Sequence, residues 1–310
     1  MEMREETNCF IPTPENTNTF QATARVEKPK ILVAAKKKVS EIYKGRSAEA
    51  AALLGFQGQM LTLLEEEEQD ISWKSLIYRV PRGVMAWAVR ASTNTLATPD
   101  NLARWGKQVD TTCSMVGCTS TCTLGHLLSS CAQSLDRFKF RHDSVLQHLL
   151  DTINKFKKQQ VMVYADLAGW RTNGGTVPQD LVLADQIPDL VVVDRSATPG
   201  RVILLELTVP WDSSTCFQAA LDRKAARYER LAGDIEEQGL TVMNLPLEVG
   251  CRGVINARNC GVLAVLCSTI GIRGLKQLKA ALGKIALVGS YRIWLARRSQ
   301  EWSPGELVRA

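Results

Sequence analysis

Two stretches, Pro188-Asp189-Leu190-Val191-Val192-Val193 and Arg201-Val202-Ile203-Leu204-Leu205-Glu206-Leu207-Thr208-Val209-Pro210, decide how this chain is read. Both are apolar and rich in β-branched residues, and the segment Ala197-Thr198-Pro199-Gly200 between them supplies the turn of a hairpin. Asp189 enters the first strand, while Glu206 stands mid-way along the second, in a run otherwise apolar on both faces. An isolated buried carboxylate is strongly disfavoured, so Glu206 must be hydrogen-bonded, ion-paired or bound to a cation. Together Asp189 and Glu206 suggest a site for a divalent metal such as magnesium.

A helix after the hairpin adds a positive group. Ser213 or Ser214 can cap it, and Ala220, Lys224 and Tyr228 then share one face at i, i+4, i+8. Folded back over the hairpin, that face would aim Lys224 at the carboxylates. Phosphodiester hydrolysis needs a cation between scissile phosphate and water, acids to hold it, and a positive group near the developing charge. The competing reading is a surface hairpin in which Asp189 caps a turn and Glu206 pairs with Lys224 or Arg201 for structural reasons alone.

Further upstream, Cys113, Cys118, Cys122, His126 and Cys131 gather four of the chain's nine cysteines and one of its three histidines. Three thiolates and an imidazole form a closed tetrahedral zinc set, whose role is structural because no position is left for chemistry. Cys118, His126 and Cys131 are common to either choice of ligands, and the fourth is Cys113 or Cys122. Cys113 is favoured, since Cys122 lies between Cys118 and His126 and would close a cramped ring. The alternative is a cluster of buried free thiols behaving as small hydrophobes.

These residues carry a resemblance. The run Asn101-Leu102-Ala103-Arg104-Trp105-Gly106, the cysteine cluster ending Thr123-Leu124-Gly125-His126-Leu127-Leu128-Ser129-Ser130-Cys131, and Arg141-His142-Asp143-Ser144-Val145-Leu146 resemble the region that follows the reverse transcriptase in site-specific non-LTR retrotransposons of the restriction-enzyme-like endonuclease class. Further matches in the same order are Val163 to Trp170, Pro188 to Val193, Glu206 to Pro210, Arg223-Lys224 with Tyr228, and Glu248 to Gly253. The similarity runs from about residue 70 to residue 298. It implies an α/β, restriction-endonuclease-like PD-(D/E)XK domain preceded by a helical linker and a small CCHC zinc knuckle. Asp189 and Glu206 would hold catalytic magnesium or manganese, Lys224 would be the catalytic lysine, and Tyr228 an accessory residue. The lysine is displaced from its usual strand position, taken here by Thr208, onto the following helix. Ile187 stands where the family has a basic residue, and the first knuckle loop is longer than the usual two residues.

The implied function is retrotransposon-derived, metal-dependent nicking of target DNA. DNA is the expected partner and retroelement RNA a second candidate. No polymerase is expected in the chain, because Tyr164-Ala165-Asp166-Leu167 lacks the second aspartate of a polymerase metal site. The rival reading is a catalytically inactive, nucleic-acid-binding remnant.

Composition is compatible with either. Net charge is +6 with a pI near 8.8, so contact with phosphate must come from local clusters. Lys36 to Lys38, Lys155 with Lys157 and Lys158, Arg223-Lys224 with Arg227, and Arg297-Arg298 are the candidates, each with a solvated face as its plainer alternative. No apolar run reaches membrane-spanning length and no signal segment opens the chain, while the odd cysteine count argues for a reducing compartment. An intracellular protein, nuclear or cytoplasmic, is the expectation.

The expected organisation is a disordered segment over 1–38, a helical linker over 39–112, the knuckle over 113–131 and the nuclease over 132–303. One helix is expected from Val39 to Glu68, with further starts at Ser72 and at Thr98-Pro99. Two more cover Leu124 to about Leu135 and Asp143 to Lys158, with Arg141, His142 and Asp143 as a hydrogen-bonded cap. A strand from Thr241 to Val249 and helices over Val254 to Ile270 and Arg273 to Arg298 close the chain. Trp73, Trp105 and Trp294 are expected in the core.

Overall fold

The computed structural model describes residues 17–66, 79–172 and 175–303. The chain divides into two compact units, Met1–Gly55 and Phe56–Ala310. In the first, a single helix α1 (Thr17–Leu53) runs through much of the stretch expected to be disordered. The reason is local: from Gln21 onward Ala, Lys and Glu recur, and such residues lose little on entering a helix even with nothing to bury. Residues before Thr17 lie outside the described residues. The expected continuous helix to Glu68 is also interrupted, because Gly55 and Gly58 break it, and helix resumes only at α2 (Gln59–Glu66).

The second unit is mixed α/β. Helix α3 (Arg82–Ser92) is followed by α4 (Pro99–Arg104), which starts as expected: the Thr98 hydroxyl accepts from the Asn101 N–H at 3.1 Å and Pro99 occupies the first turn. The expected start at Ser72 lies outside the described residues. Instead of a helix from Leu124 to Leu135 there is a five-residue wide turn, His126–Ser130, and a tight turn, Ala132–Ser134. Helix α5 (Leu135–Phe156) then begins well before Asp143, so Arg141, His142 and Asp143 lie inside it and cap nothing. Two charged residues hide its true start. Arg137 and Arg141 occupy the same four-residue spacing as Val145, Leu149 and Ile153, and all five are buried.

Four strands form one sheet in the order β1-β2-β3-β4: β1 (Val161–Ala165), β2 (Leu190–Asp194), β3 (Arg201–Thr208) and β4 (Thr241–Glu248). The β2–β3 pair is the expected hairpin, with Leu190 opposite Leu205 and Val193 opposite Val202. β1 extends the meander antiparallel, whereas β4 joins β3 in parallel after a crossover through α6 (Ser214–Ala225), a tight turn (Ala226–Tyr228) and α7 (Glu229–Glu236). Helices α8 (Ala257–Ile270) and α9 (Leu275–Leu295) complete the unit.

Alternation along the strands feeds two cores. Leu190, Val192, Ile203, Leu205 and Leu207 pack with α5, α8 and α9, while Val191, Val193, Val202 and Leu204 pack with Tyr228 and α7. Glu206 shares the parity of Val202 and Leu204, so it points to the Tyr228 side. A third cluster joins Trp87, the cysteine segment and the C-terminal half of α9, including Trp294. Trp105, by contrast, is 46% exposed and lies outside the core, at the end of the short α4, and Trp73 lies outside the described residues.

Beyond β3 the chain is fixed by a buried ion pair. Asp212 accepts from the main-chain N–H of Arg252 at 2.8 Å and from its Nε at 3.2 Å, and Arg252 also stacks over Trp211. Gly250 is required there, because any side chain at that position would collide with the Asp212 carboxylate. The Glu248 to Gly253 stretch therefore ties the end of β4 to the loop after β3.

Candidate functional site

Two groups of side chains stand out. The first is the cysteine–histidine cluster, the only set among the described residues that brings three or more such ligands within 4.8 Å of one another. Its members are Cys113, Cys118, His126 and Cys131. The Sγ atoms of Cys113 and Cys131 are 3.9 Å apart, and Cys118 Sγ is 3.3 Å from His126 Nε2. A tetrahedron with bonds of about 2.0–2.3 Å has edges of roughly 3.3–3.8 Å, so these spacings suit zinc. They are too long for a disulfide.

Local structure explains the set. Thr112 pairs with Thr121, the Cys113 N–H donates to Ser120 O at 2.9 Å, and Gly117 adopts φ +79° to turn the knuckle. The His126 N–H is held by the Thr123 hydroxyl at 3.0 Å. Five residues separate His126 from Cys131, a spacing that a regular helix would splay by about 140°. The wide turn, closed by the Cys131 N–H on His126 O at 3.0 Å, brings the two round to one side. Cys122 stays out: it is buried in the core beneath, so the choice of Cys113 agrees with the geometry. Without a cation, burial pushes the Cys113 thiol up to about 12. A hydrogen bond from the Ser120 backbone lowers that of Cys118.

The second group lies at the open end of the β2–β3 pair. Glu206 is 2% exposed, and both its oxygens are engaged. Oε1 contacts Lys224 Nζ and accepts from Arg227 at 3.2 Å; Oε2 accepts from the Tyr228 hydroxyl at 2.7 Å and from the Asp189 N–H at 3.4 Å. Asp189, one step before β2 and opposite Glu206, accepts on Oδ2 from the Leu207 N–H at 2.7 Å. Glu206, Lys224 and Tyr228 thus meet in one place, with Arg227 added from the turn after α6; Asp189 reaches Glu206 through its main-chain N–H, while its carboxylate turns to the Leu207 N–H. Burial first, and the hydrogen bond to Glu206 second, raise Tyr228 far above the ordinary phenol range, so it remains a donor.

His142 also belongs here, which the sequence did not indicate. Its Nε2 is 3.3 Å from Asp189 Oδ2 and 3.3 Å from Leu207 O, and its Nδ1 is 3.0 Å from Asp143 Oδ1. Burial alone would lower its pKa, but the hydrogen bonds and charges of Asp143 and Asp189 outweigh that and raise it to about 9. The signal that could have found it is the i+4 series through Arg137 and Arg141, which places the start of α5 ahead of it.

Oxygen atoms of the kind a hard divalent cation takes gather at this end of the sheet, namely the Asp189 and Glu206 carboxylates, the Leu207 carbonyl and the Thr208 hydroxyl, which is buried with no partner, but both Glu206 oxygens are held by Lys224, Arg227 and Tyr228. The basic clusters are less available than their sequence suggests. Lys224 and Arg227 face Glu206, and Arg297 lies over the Trp294 ring at 3.9 Å, whereas Lys36 to Lys38 are exposed on α1. Ile187, at the position where the resemblance expects a basic residue, is 39% exposed. No helix among the described residues is long and apolar enough to cross a membrane. No family model matches the chain, and no curated protein matches it.

Proposed function

We propose that the chain is a divalent-metal-dependent DNA endonuclease of retroelement origin, built on a restriction-endonuclease-like PD-(D/E)XK domain with a structural zinc knuckle. The observation that carries this reading is the meeting of Glu206 with Lys224 and Tyr228, beside Asp189, whose main-chain N–H donates to Glu206. The element order supports it: helix, antiparallel meander, helix, parallel fourth strand. So does the zinc-compatible cluster upstream.

Asp189 and Glu206 would hold magnesium or manganese, which when bound supplies Lewis acidity at the phosphate and an acidified water. Lys224, which contacts Glu206, would supply the positive group that offsets charge developing on the scissile phosphate. Tyr228 keeps its proton and fixes the orientation of Glu206. The knuckle, closed by four ligands, positions nucleic acid and takes no part in chemistry. DNA is the substrate, retroelement RNA a second partner, and the nucleus the place where the two would meet.

One observation favours the rival, a catalytically inactive nucleic-acid-binding remnant: both Glu206 oxygens are already satisfied by the protein's own donors. Supercoiled plasmid incubated with purified protein and magnesium or manganese separates the two. The endonuclease produces open circles and the Asp189→Ala variant does not. A wild-type protein that binds DNA yet leaves the plasmid intact with either metal establishes the remnant.

A further inference from the structure

Asp189 stands just outside β2, where no strand partner fixes its side chain. Its carboxylate would be free to turn into solvent but for two donors, the Leu207 N–H at 2.7 Å and His142 Nε2 at 3.3 Å. His142 comes from α5, on the opposite side of the sheet from the Tyr228 core, and it touches Leu207 O at 3.3 Å as well. Leu207 O is a carbonyl and can only accept, so Nε2 is the donor in its contacts. The far nitrogen is braced by Asp143, which Lys139 in turn holds at 3.1 Å. A chain of contacts thus runs from the surface of α5 to Asp189: Lys139, Asp143, His142, Asp189, Leu207.

We infer that His142 is a positioning residue of the acidic site, clasping the Asp189 carboxylate against the Leu207 N–H. The inference rests on the metal-dependent reading for its consequence, but not for its geometry. Groups that hydrogen-bond to a metal-binding carboxylate typically change metal affinity about 10–100-fold when removed, because the carboxylate must then be ordered at the moment of binding. The reach of Nε2 to both Asp189 Oδ2 and Leu207 O gives His142 a second effect: it also holds the carbonyl of the residue whose N–H Asp189 accepts.

Two measurements on the full chain test this, amide hydrogen exchange at Leu207 and calorimetric titration with Mn²⁺ alone. In His142→Ala the Leu207 amide should exchange at least about tenfold faster, as in Asp189→Ala, because its acceptor is no longer held. Mn²⁺ affinity should fall about 10–100-fold. His142→Gln, whose amide nitrogen can reach the Nε2 position, should recover much of both, which a general loss of packing would not allow. Leu207 protection and Mn²⁺ affinity unchanged in His142→Ala would overturn the inference. If wild type binds no Mn²⁺ while Leu207 protection still depends on His142, the positioning role stands and the endonuclease reading falls.

Discussion

Glu206 is held by three side-chain donors, Lys224, Arg227 and Tyr228, and removing Lys224 should differ in effect from removing the Tyr228 hydroxyl. Lys224 is the partner whose charge a bound cation would replace, so Lys224→Ala should leave affinity for duplex DNA within a few-fold of wild type. It should slow nicking by about two orders of magnitude or more, measured at saturating DNA. Tyr228→Phe should act mainly on stability, costing about 1–3 kcal/mol in denaturant melts, because a buried carboxylate oxygen loses its best donor. At the knuckle, Cys118→Ser should abolish zinc binding by metal analysis, while Cys122→Ser should keep it. His142 gives the pH dependence. Its pKa in the folded protein, about 9, lies above the ordinary histidine value of 6.5, so its stabilising contribution is complete below pH 6.5 and fades as pH rises through 9. Thermal midpoints of the metal-free protein should therefore drop over that window by the equivalent of about 1–3 kcal/mol, and His142→Gln should flatten the slope. At this scale the pairing of Glu206 with Lys224 and the gathering of Cys113, Cys118, His126 and Cys131 were legible, because each is a residue of conspicuous chemistry in an apolar or repetitive setting. His142 was not, because a histidine beside an aspartate looks the same at a cap and on a buried face.

The elements were legible where one periodicity dominates. β2 and β3 are apolar runs rich in β-branched residues with a Pro-Gly turn between them, and β4, α8 and α9 lie close to their expected limits. β1 was missed: Val161 to Ala165 is five residues long and no turn signal ties it to β2. α5 was read short because Arg137 and Arg141 sit at core positions, and a guanidinium in the core is visible only when its acceptors are known. Those acceptors lie far along the chain: Ala296 O and Ser299 O for Arg137, Ser290 Oγ and Val209 O for Arg141. The same reasoning applies to the loop pair closed by Asp212 and Arg252. Asp212→Ala leaves a buried guanidinium uncompensated and should cost about 3–5 kcal/mol. Gly250→Ala displaces the same carboxylate, so the two costs should not add: in a double-mutant cycle by chemical denaturation the pair should lose little more than Asp212→Ala alone.

At the scale of the whole second unit, the knuckle and the sheet are not independent. α9 contributes Leu278, Leu282 and Ala286 to the core over the sheet, and Leu287, Ile293 and Trp294 to the cluster that encloses the cysteines. The main chain of the knuckle is also tied to the residues after α9: the Ser114 hydroxyl donates to Arg297 O at 3.2 Å and the Val116 N–H to Gln300 at 3.1 Å. Chelating the zinc should therefore lower a single unfolding transition of the whole unit, seen by both tryptophan fluorescence and far-ultraviolet circular dichroism. Two separated transitions would show that the knuckle melts alone. This coupling was illegible in the sequence, since it depends on which residues of one long apolar helix face which neighbour.

That division of α9 sets a rule for cutting the protein. At about 1.5 Å per residue it is a rod of roughly 30 Å, and only its first half rests on the sheet. A fragment starting at residue 132 would keep every strand and the whole acidic site, yet present Leu287, Ile293 and Trp294 bare to water. Such a fragment should come off a sizing column as an aggregate, and a workable boundary must lie upstream of α3.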